Sequence, residues 1–164
     1  MSAAPTMVDE ETGALIRPAF SLLVDHHLQL LQRTKRELIV LFATIAPRQA
    51  SVGWAEAVSV VAKHCLATVR TTDFVGRVGP AHLALAFPDT SETMAERILW
   101  RLETKLKEGR AAGEFPKELT VDWRVAVGTP GGLATLDAMT AAVGLPKPLQ
   151  AERPAPPSLS SVAA

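Results

Sequence analysis

The sequence has little of what several classes of protein need. It contains one cysteine, equal numbers of basic and acidic side chains, and no long run of apolar residues. The single Cys65 excludes an internal disulfide, and its place in an apolar helical pattern predicts a buried, unreactive thiol. A net charge of zero provides no overall positive field that would attract nucleic acid or an acidic membrane surface.

Segments for export or membrane insertion are also missing. The first residues, MSAAPTMVDEETG, lack the basic and apolar regions of a signal peptide. No apolar run approaches the roughly 20 residues that span a bilayer. We therefore expect a cytoplasmic protein. With 164 residues, of which 48% are hydrophobic and 21% charged, the chain has the composition of one globular domain with a real core.

The pattern of apolar residues predicts an alternation of helices and strands. Amphipathic periodicity indicates three long helices and a short final one, over residues 18–35, 54–70, 91–108 and 133–143. Short β-rich runs predict four strands, over residues 37–45, 73–79, 83–88 and 119–128. Helices on one side of a mainly antiparallel sheet give an α+β sandwich built on a ferredoxin-like βαββαβ core.

Both ends of the chain differ in composition from the predicted domain, which we place at residues 9–144. Residues 1–8 are small and polar, and the segment 145–164 has five prolines among serines and alanines. Such compositions cannot bury enough apolar surface to fold, so we expect both ends to be disordered. The proline-rich tail also suits a tether or a recognition segment.

Three segments resemble the GGDEF domain of the diguanylate cyclase family. The first, DEETGALIRPAF, supplies Asp9, Thr12, Gly13, Arg17 and Phe20 in the register of the family's D-x-L-T-G-L-x-N-R-x-x-F pattern. The segment FPDTSETMAERILWRL (87–102) is similar to the family's strand end and following helix. TVDWRVA (120–126) resembles its T-V-S-I-G-V-A strand, with Arg124 where glycine is usual. The resemblance covers residues 9–143 and implies a GGDEF-type sheet flanked by helices.

By that register, one short segment occupies the five positions of the GGDEF motif: Gly79, Pro80, Ala81, His82 and Leu83. Only the first glycine is retained. The family's enzymes join two GTP molecules with the help of Mg²⁺, which prefers carboxylate, carbonyl or water oxygens. The resemblance implies one metal-binding carboxylate at the third motif position and another at the end of the first core strand. The third position here is Ala81, and the strand end reads ATIA (43–46), without an acid.

Further departures act against phosphate and guanine binding. Pro80 removes a backbone N–H and adds a ring where a glycine lets the backbone approach phosphate closely. The loop APRQASVG (46–53) is shorter than the family's and lacks the asparagine and aspartate that recognise guanine. His82 is a poor substitute ligand, because imidazole suits Zn²⁺ or Cu²⁺, and we interpret it as an exposed turn residue. We expect a degenerate pseudoenzyme with no metal site, no cofactor and no cyclase activity.

One ligand site of the family has a counterpart in this sequence. Arg70-Thr71-Thr72-Asp73 precedes the motif positions at the spacing of the family's R-x-x-D inhibitory site for cyclic di-GMP, and Arg97 matches a helix arginine that joins that site. Arginine can donate two parallel hydrogen bonds to guanine O6 and N7, while a carboxylate accepts from the donor edge of guanine. The alternative is structural: Arg70 ends a helix, and Asp73 fixes the turn into the next strand.

Two functions therefore stay open at the level of sequence. The first is a non-catalytic signalling module that binds cyclic di-GMP through Arg70, Asp73 and Arg97. The second is a GGDEF-like scaffold that binds a protein and no nucleotide. In either case we expect a protein partner in a signalling complex, no nucleic acid and no membrane insertion.

Overall fold

A computed structural model describes residues 6–47, 54–114 and 119–145. Within these ranges one sheet contains five strands: β1 Leu15–Ile16, β2 Leu38–Pro47, β3 Phe74–Gly79, β4 His82–Pro88 and β5 Leu119–Gly128. The same ranges contain four helices: α1 Arg17–Thr34, α2 Trp54–Thr68, α3 Glu92–Ala111 and α4 Leu136–Ala142. None of these helices is both long enough and apolar enough to cross a membrane.

The strands lie side by side in the order β1-β3-β4-β2-β5. The pairs β3–β4, β4–β2 and β2–β5 are antiparallel, whereas the two-residue β1 runs parallel to β3. This arrangement confirms the predicted α+β fold. The predicted pairing of 73–79 with 83–88 is also confirmed, since Val75 lies opposite Leu85 and Gly76 opposite Ala84. Strand β1 was not predicted, because two residues carry no detectable period.

Helices cover both faces of the sheet, so the prediction of helices on one side only is wrong. On β4, Leu83 and Phe87 belong to the core beneath α2 and α3. Ala84 and Ala86 belong to a second core beneath α1 and α4. Alternation of large and small side chains along β4 predicts that one face of the strand carries little side-chain volume. On that face α1 lies against the sheet, and side chains of the helix, such as Phe20, fill the space.

Helix α1 approaches the sheet closely because β3 carries a glycine beneath it. A Cβ atom on Gly76 would lie 2.3 Å from Cγ of Phe20. Phe20 is fully buried, and its ring meets Phe74 edge-on with the ring centroids 5.4 Å apart. The contact between α1 and β3 therefore depends on the missing side chain at position 76.

The other core confirms that the single cysteine is buried. Cys65 of α2 is fully buried among apolar side chains between the sheet and α3. Burial raises the pKa of its thiol to about 12, because the charged thiolate would be removed from water. The predictions for the chain ends remain predictions, since residues 1–5 and 146–164 lie outside the described ranges. Val8 lies within the described ranges and forms an isolated antiparallel β-bridge with Leu15.

Candidate functional site

The β3–β4 hairpin carries the predicted motif positions at its turn. Gly79 ends β3, Pro80 and Ala81 form the turn, and His82 begins β4. Gly79 pairs directly with His82 after a shift in register beyond Arg77. A Cβ atom on Gly79 would lie 2.9 Å from Nδ1 of His82. A side chain at the one retained glycine would therefore displace the histidine ring.

Ala81 is buried at the third motif position. Its exposed fraction is 3%, and its carbonyl oxygen accepts a hydrogen bond from Ile45 N–H at 2.9 Å. This bond joins the turn to the end of β2, where Thr44 lies opposite His82. Neither the turn nor this strand end contains an acidic side chain.

Two arginines bind other carbonyl oxygens of the hairpin, one in the turn and one near the end of β3. Arg17 of α1 donates from Nη1 to the carbonyl oxygen of Val78 at 2.6 Å. Arg77 of β3 donates from Nη2 to the carbonyl oxygen of Pro80 at 3.0 Å. Together with the bond from β2 to Ala81, these contacts fix the backbone of the turn against α1 and its own strand. The roles of both arginines were missed at the level of sequence.

Arg77 also binds two acidic side chains from the N-terminal segment. Its Nη1 lies 2.8 Å from Glu11 Oε2 and 3.1 Å from Asp9 Oδ2, and Asp9 accepts a further hydrogen bond from Thr12 at 2.6 Å. Burial alone raises the pKa of Asp9, but the hydrogen bonds from Thr12 and Arg77 outweigh burial and lower the pKa below its ordinary value. In the sequence, the only indication of these contacts was one arginine in the otherwise apolar run FVGRVG (74–79).

His82 is half-buried on β4, so its interpretation as an exposed turn residue is wrong. The strand begins one residue earlier than predicted, because His82 pairs with Gly79 on one side and with Thr44 on the other. Burial and the positive charge of Arg17 both disfavour a protonated ring and lower the pKa of His82. At neutral pH the imidazole is therefore uncharged.

Arg70 and Asp73 form one unit between α2 and β3. The carboxylate of Asp73 accepts hydrogen bonds from Arg70 backbone N–H, Nε and Nη2 at 2.9, 3.1 and 3.2 Å. Arg70 Nη2 also lies 3.4 Å from Oγ1 of Thr90, just before α3. The Asp73 side chain is 2% exposed, whereas the Arg70 side chain is 51% exposed. Asp73 thus makes the turn-fixing contacts of the structural alternative and also orients an open guanidinium.

Arg97 is exposed in the second turn of α3, five residues after Glu92. It borders a shallow surface depression together with Glu96, Trp100 and Arg101. Across residues 6–47, 54–114 and 119–145, no hydrogen bond or ion pair joins Arg97 to Arg70 or Asp73. The structure therefore shows direct contact between two of the three predicted ligand-binding residues, Arg70 and Asp73.

Metal-binding side chains are not grouped in the part of the chain that the structure describes. There, no three histidine, cysteine, aspartate or glutamate side chains are arranged to hold a metal ion. Residues 48–53, most of the loop that the resemblance places beside guanine, lie outside that part. The prediction for that loop stays a prediction.

No protein-family model and no curated protein matches the chain, but solved structures do. The GGDEF domain of FimX from Pseudomonas aeruginosa matches with a TM-score of 0.71 at 17% identity, covering 85% of this chain and 90% of that one. The GGDEF domain of DgcB from Caulobacter crescentus, solved in complex with c-di-GMP, matches with a TM-score of 0.69 at 15% identity, covering 87% and 86%. The chain has the fold of a GGDEF domain.

At these identities the comparisons establish the GGDEF fold and nothing finer. Another match is the diguanylate cyclase SiaD of Pseudomonas aeruginosa in complex with its activator SiaC. It has a TM-score of 0.61 at 18% identity and covers 74% of this chain and 49% of that longer one. The GGDEF resemblance predicted from sequence is therefore confirmed as a fold. The ligand-binding roles of Arg70, Asp73 and Arg97 stay predictions.

Proposed function

We propose that this GGDEF-fold domain is a non-catalytic signalling module. The observation that carries the proposal is the β3–β4 turn, where a buried alanine, Ala81, stands at the position that the resemblance assigns to a metal-binding carboxylate. Phosphoryl chemistry depends on cations that neutralise phosphate charge, and Mg²⁺ needs oxygen ligands. The end of β2 supplies no second carboxylate, and Asp9 and Glu11 are bound to Arg77.

The backbone of the turn supports the same conclusion. Pro80 has no N–H to donate to a phosphate oxygen. Catalysis of this kind relies on donors that point at the developing charge before the reaction begins. Here the guanidinium groups of Arg17 and Arg77 donate hydrogen bonds to carbonyl oxygens of the hairpin itself, those of Val78 and Pro80.

We further propose that Arg70 contacts cyclic di-GMP and that Asp73 positions the Arg70 guanidinium. The exposures of the two side chains favour this division, because only the guanidinium is open to a ligand. Asp73 uses Nε and Nη2 of Arg70, and Nη1 has no partner among the described residues. Arg97 provides a second exposed positive charge on α3. The DgcB domain, a structural neighbour, was solved with c-di-GMP bound, which supports this choice of ligand.

The non-catalytic part is tested by incubating the purified chain with GTP and Mg²⁺. We expect no cyclic di-GMP above a protein-free blank. Ala81→Asp alone should not produce synthesis, because the second carboxylate is absent and the introduced one would be buried. Turnover by the unaltered chain would overturn the proposal.

The binding part is tested by calorimetric titration with cyclic di-GMP. Arg70→Ala should weaken binding by about 10- to 150-fold, which corresponds to one charge-assisted hydrogen-bonded contact. Arg97→Ala should also weaken it, whereas Arg101→Ala on the same helix is the matched control and should bind normally. His82→Ala should have no effect. If the unaltered chain shows no heat of binding and no thermal shift, the nucleotide part of the proposal fails.

A protein-binding scaffold is the second candidate function, and an exposed aromatic residue favours it. Trp100 on α3 is 69% exposed beside Arg97 and Arg101. Tryptophan and arginine are enriched among the residues that dominate protein interfaces. SiaD, a neighbour in structure, was solved with a protein activator. Loss of partner capture with Trp100→Ala, but not with Arg70→Ala, would support the scaffold function.

A further inference from the structure

Strand β5 lies at the edge of the sheet. It pairs with β2 over all ten of its residues, and no other strand in the described ranges pairs with its second side. A long edge strand presents unpaired N–H and C=O groups that can bind another strand. The middle of this edge reads Val121-Asp122-Trp123-Arg124-Val125.

This five-residue segment is complementary to its own reverse. In an antiparallel pair of two copies centred on Trp123, Asp122 of each copy lies opposite Arg124 of the other. Val121 likewise lies opposite Val125. Directly opposed residues share one face of a sheet, so both charge pairs fall on one face and both valine pairs on the other. A two-fold symmetric contact requires this kind of self-complementary surface.

Three of the five side chains at this edge are exposed, whereas Val121 and Trp123 are half-buried and pack against the core of α2 and α3. Asp122 and Arg124 are exposed, and Val125 is 40% exposed although it is apolar. Within one chain, Arg124 Nε reaches Asp122 Oδ2 only at 3.5 Å. Arg124 Nη1 donates to the carbonyl oxygen of Val143 at 2.6 Å, which holds the guanidinium at the edge. Asp122 and Arg124 thus present opposite charges at the edge, and their contact within one chain is long.

Charged side chains on edge strands often serve to prevent pairing, but the signs here favour one register. Charges of one sign would repel a second copy in every register. Asp122 and Arg124 instead attract when Trp123 is central. Pairs centred on residue 122 or residue 124 place like charges opposite each other, which is unfavourable.

We propose that two copies of this chain associate through β5, antiparallel and centred on Trp123, so that their sheets become continuous. Apolar contact comes from Val121, Val125 and the two Trp123 side chains, and register comes from the charges. The neighbouring strands separate β5 from β3, and Arg70 and Asp73 precede β3. Association through β5 therefore leaves the proposed nucleotide site uncovered, and the two proposals can fail independently.

Analytical ultracentrifugation of the full chain, over concentrations up to the high micromolar range, tests this proposal. We expect a reversible monomer–dimer equilibrium that high salt weakens. Asp122→Arg and Arg124→Asp each convert both attractive pairs into repulsive ones. Each should raise the dissociation constant of the dimer by roughly 10- to 100-fold. Glu96→Arg on α3 makes the same change in net charge as Asp122→Arg, but away from the edge, and should have no effect.

Mixing the two reversed variants gives the sharpest result. In a mixed dimer the positive charge introduced at position 122 of one chain faces the negative charge introduced at position 124 of the other. The native Arg124 and Asp122 of the two chains also face each other, so both pairs are attractive. The mixture should associate as the unaltered chain does, and so should the double variant Asp122→Arg/Arg124→Asp. Circular dichroism establishes that each variant is folded, and the double variant keeps the test valid if a single one is not.

Three outcomes would overturn the proposal. The first is a chain that stays monomeric at every concentration. The second is a dimer whose dissociation constant the single reversals leave unchanged. The third is weakened association that neither mixing nor the double reversal restores, because the contact would then not depend on the Asp122–Arg124 pairing.

Discussion

The carboxylate of Asp73 receives three hydrogen bonds from a single residue, Arg70. One comes from the backbone N–H and two come from the guanidinium, so the turn between α2 and β3 is closed before any ligand binds. The contact also raises the pKa of Arg70, because the carboxylate stabilises its charge. The same bonds that shape the chain here also orient the side chain that we propose for nucleotide binding.

Removal of this carboxylate should destabilise the fold as well as any complex. Asp73→Ala leaves the backbone N–H and the guanidinium of Arg70 without their charged acceptor, and we expect the free energy of unfolding to fall by about 1–3 kcal/mol. Asp73→Asn keeps one acceptor oxygen and should lose less. Chemical denaturation measures both. Asp122→Asn, at an exposed position, is the control, and an Asp73→Ala variant as stable as that control would contradict the prediction.

The pH dependence of stability should contain a contribution from His82. Its pKa is lower in the folded chain than its ordinary value of 6.5, so the unfolded chain binds more protons between the two values. This contribution is fully present above the unfolded pKa and is lost as the pH falls through the folded pKa. The free energy of unfolding should therefore be smaller near pH 5 than near pH 7.5. The difference between the two pH values should be smaller in His82→Gln. His26→Gln, at an exposed histidine of α1, should keep the full difference.

A side chain at position 76 should push α1 away from the sheet. Gly76→Ala places a methyl group within 2.3–2.6 Å of Phe20 atoms, and overpacking of this kind costs about 1–3 kcal/mol or more. Thermal and chemical unfolding measure the loss. Because the shortest contacts are with Cγ and Cδ2 of Phe20, which alanine lacks, the double variant Phe20→Ala/Gly76→Ala should lose less than the sum of the two single losses. Strict additivity would mean that α1 adjusts without this contact.

The thiol of Cys65 should resist modification in the folded chain. A pKa of about 12 leaves almost no thiolate at neutral pH, and the side chain is fully buried. We expect no reaction with a chromogenic disulfide reagent in native buffer and reaction of one thiol per chain in denaturant. Rapid labelling of the native chain would show that the core between α2 and α3 opens readily.

Strands and helices with a strong local period could be predicted from the sequence. The alternation along β4 and the apolar spacing of α1 each appear within a few residues of chain, because burial of one face imposes that period. The position of α1 on the second face could not be predicted this way. It depends on the fit of Phe20 over Gly76, two residues far apart in the sequence, and neither residue alone indicates that contact.

In the candidate site, too, local contacts could be predicted from the sequence and contacts between distant positions could not. The contact between Arg70 and Asp73 could be predicted, because residues three apart across a tight turn lie close together. The burial of Asp73 depends on its surroundings and was not predictable from the short pattern. The bonds from Arg17 to Val78 and from Arg77 to Asp9 join positions 61 and 68 residues apart, so no local spacing indicates them.

The burial of Ala81 limits which side chains this turn can accept. A carboxylate at that position would be removed from water without a cation to compensate it, at a penalty of several kcal/mol. That is a large share of the roughly 5–15 kcal/mol by which domains are usually stable. A chain that gained one acid here would lose stability before a second acid made the first useful as a metal ligand. Acquisition of a metal site at this turn by a single substitution is therefore disfavoured.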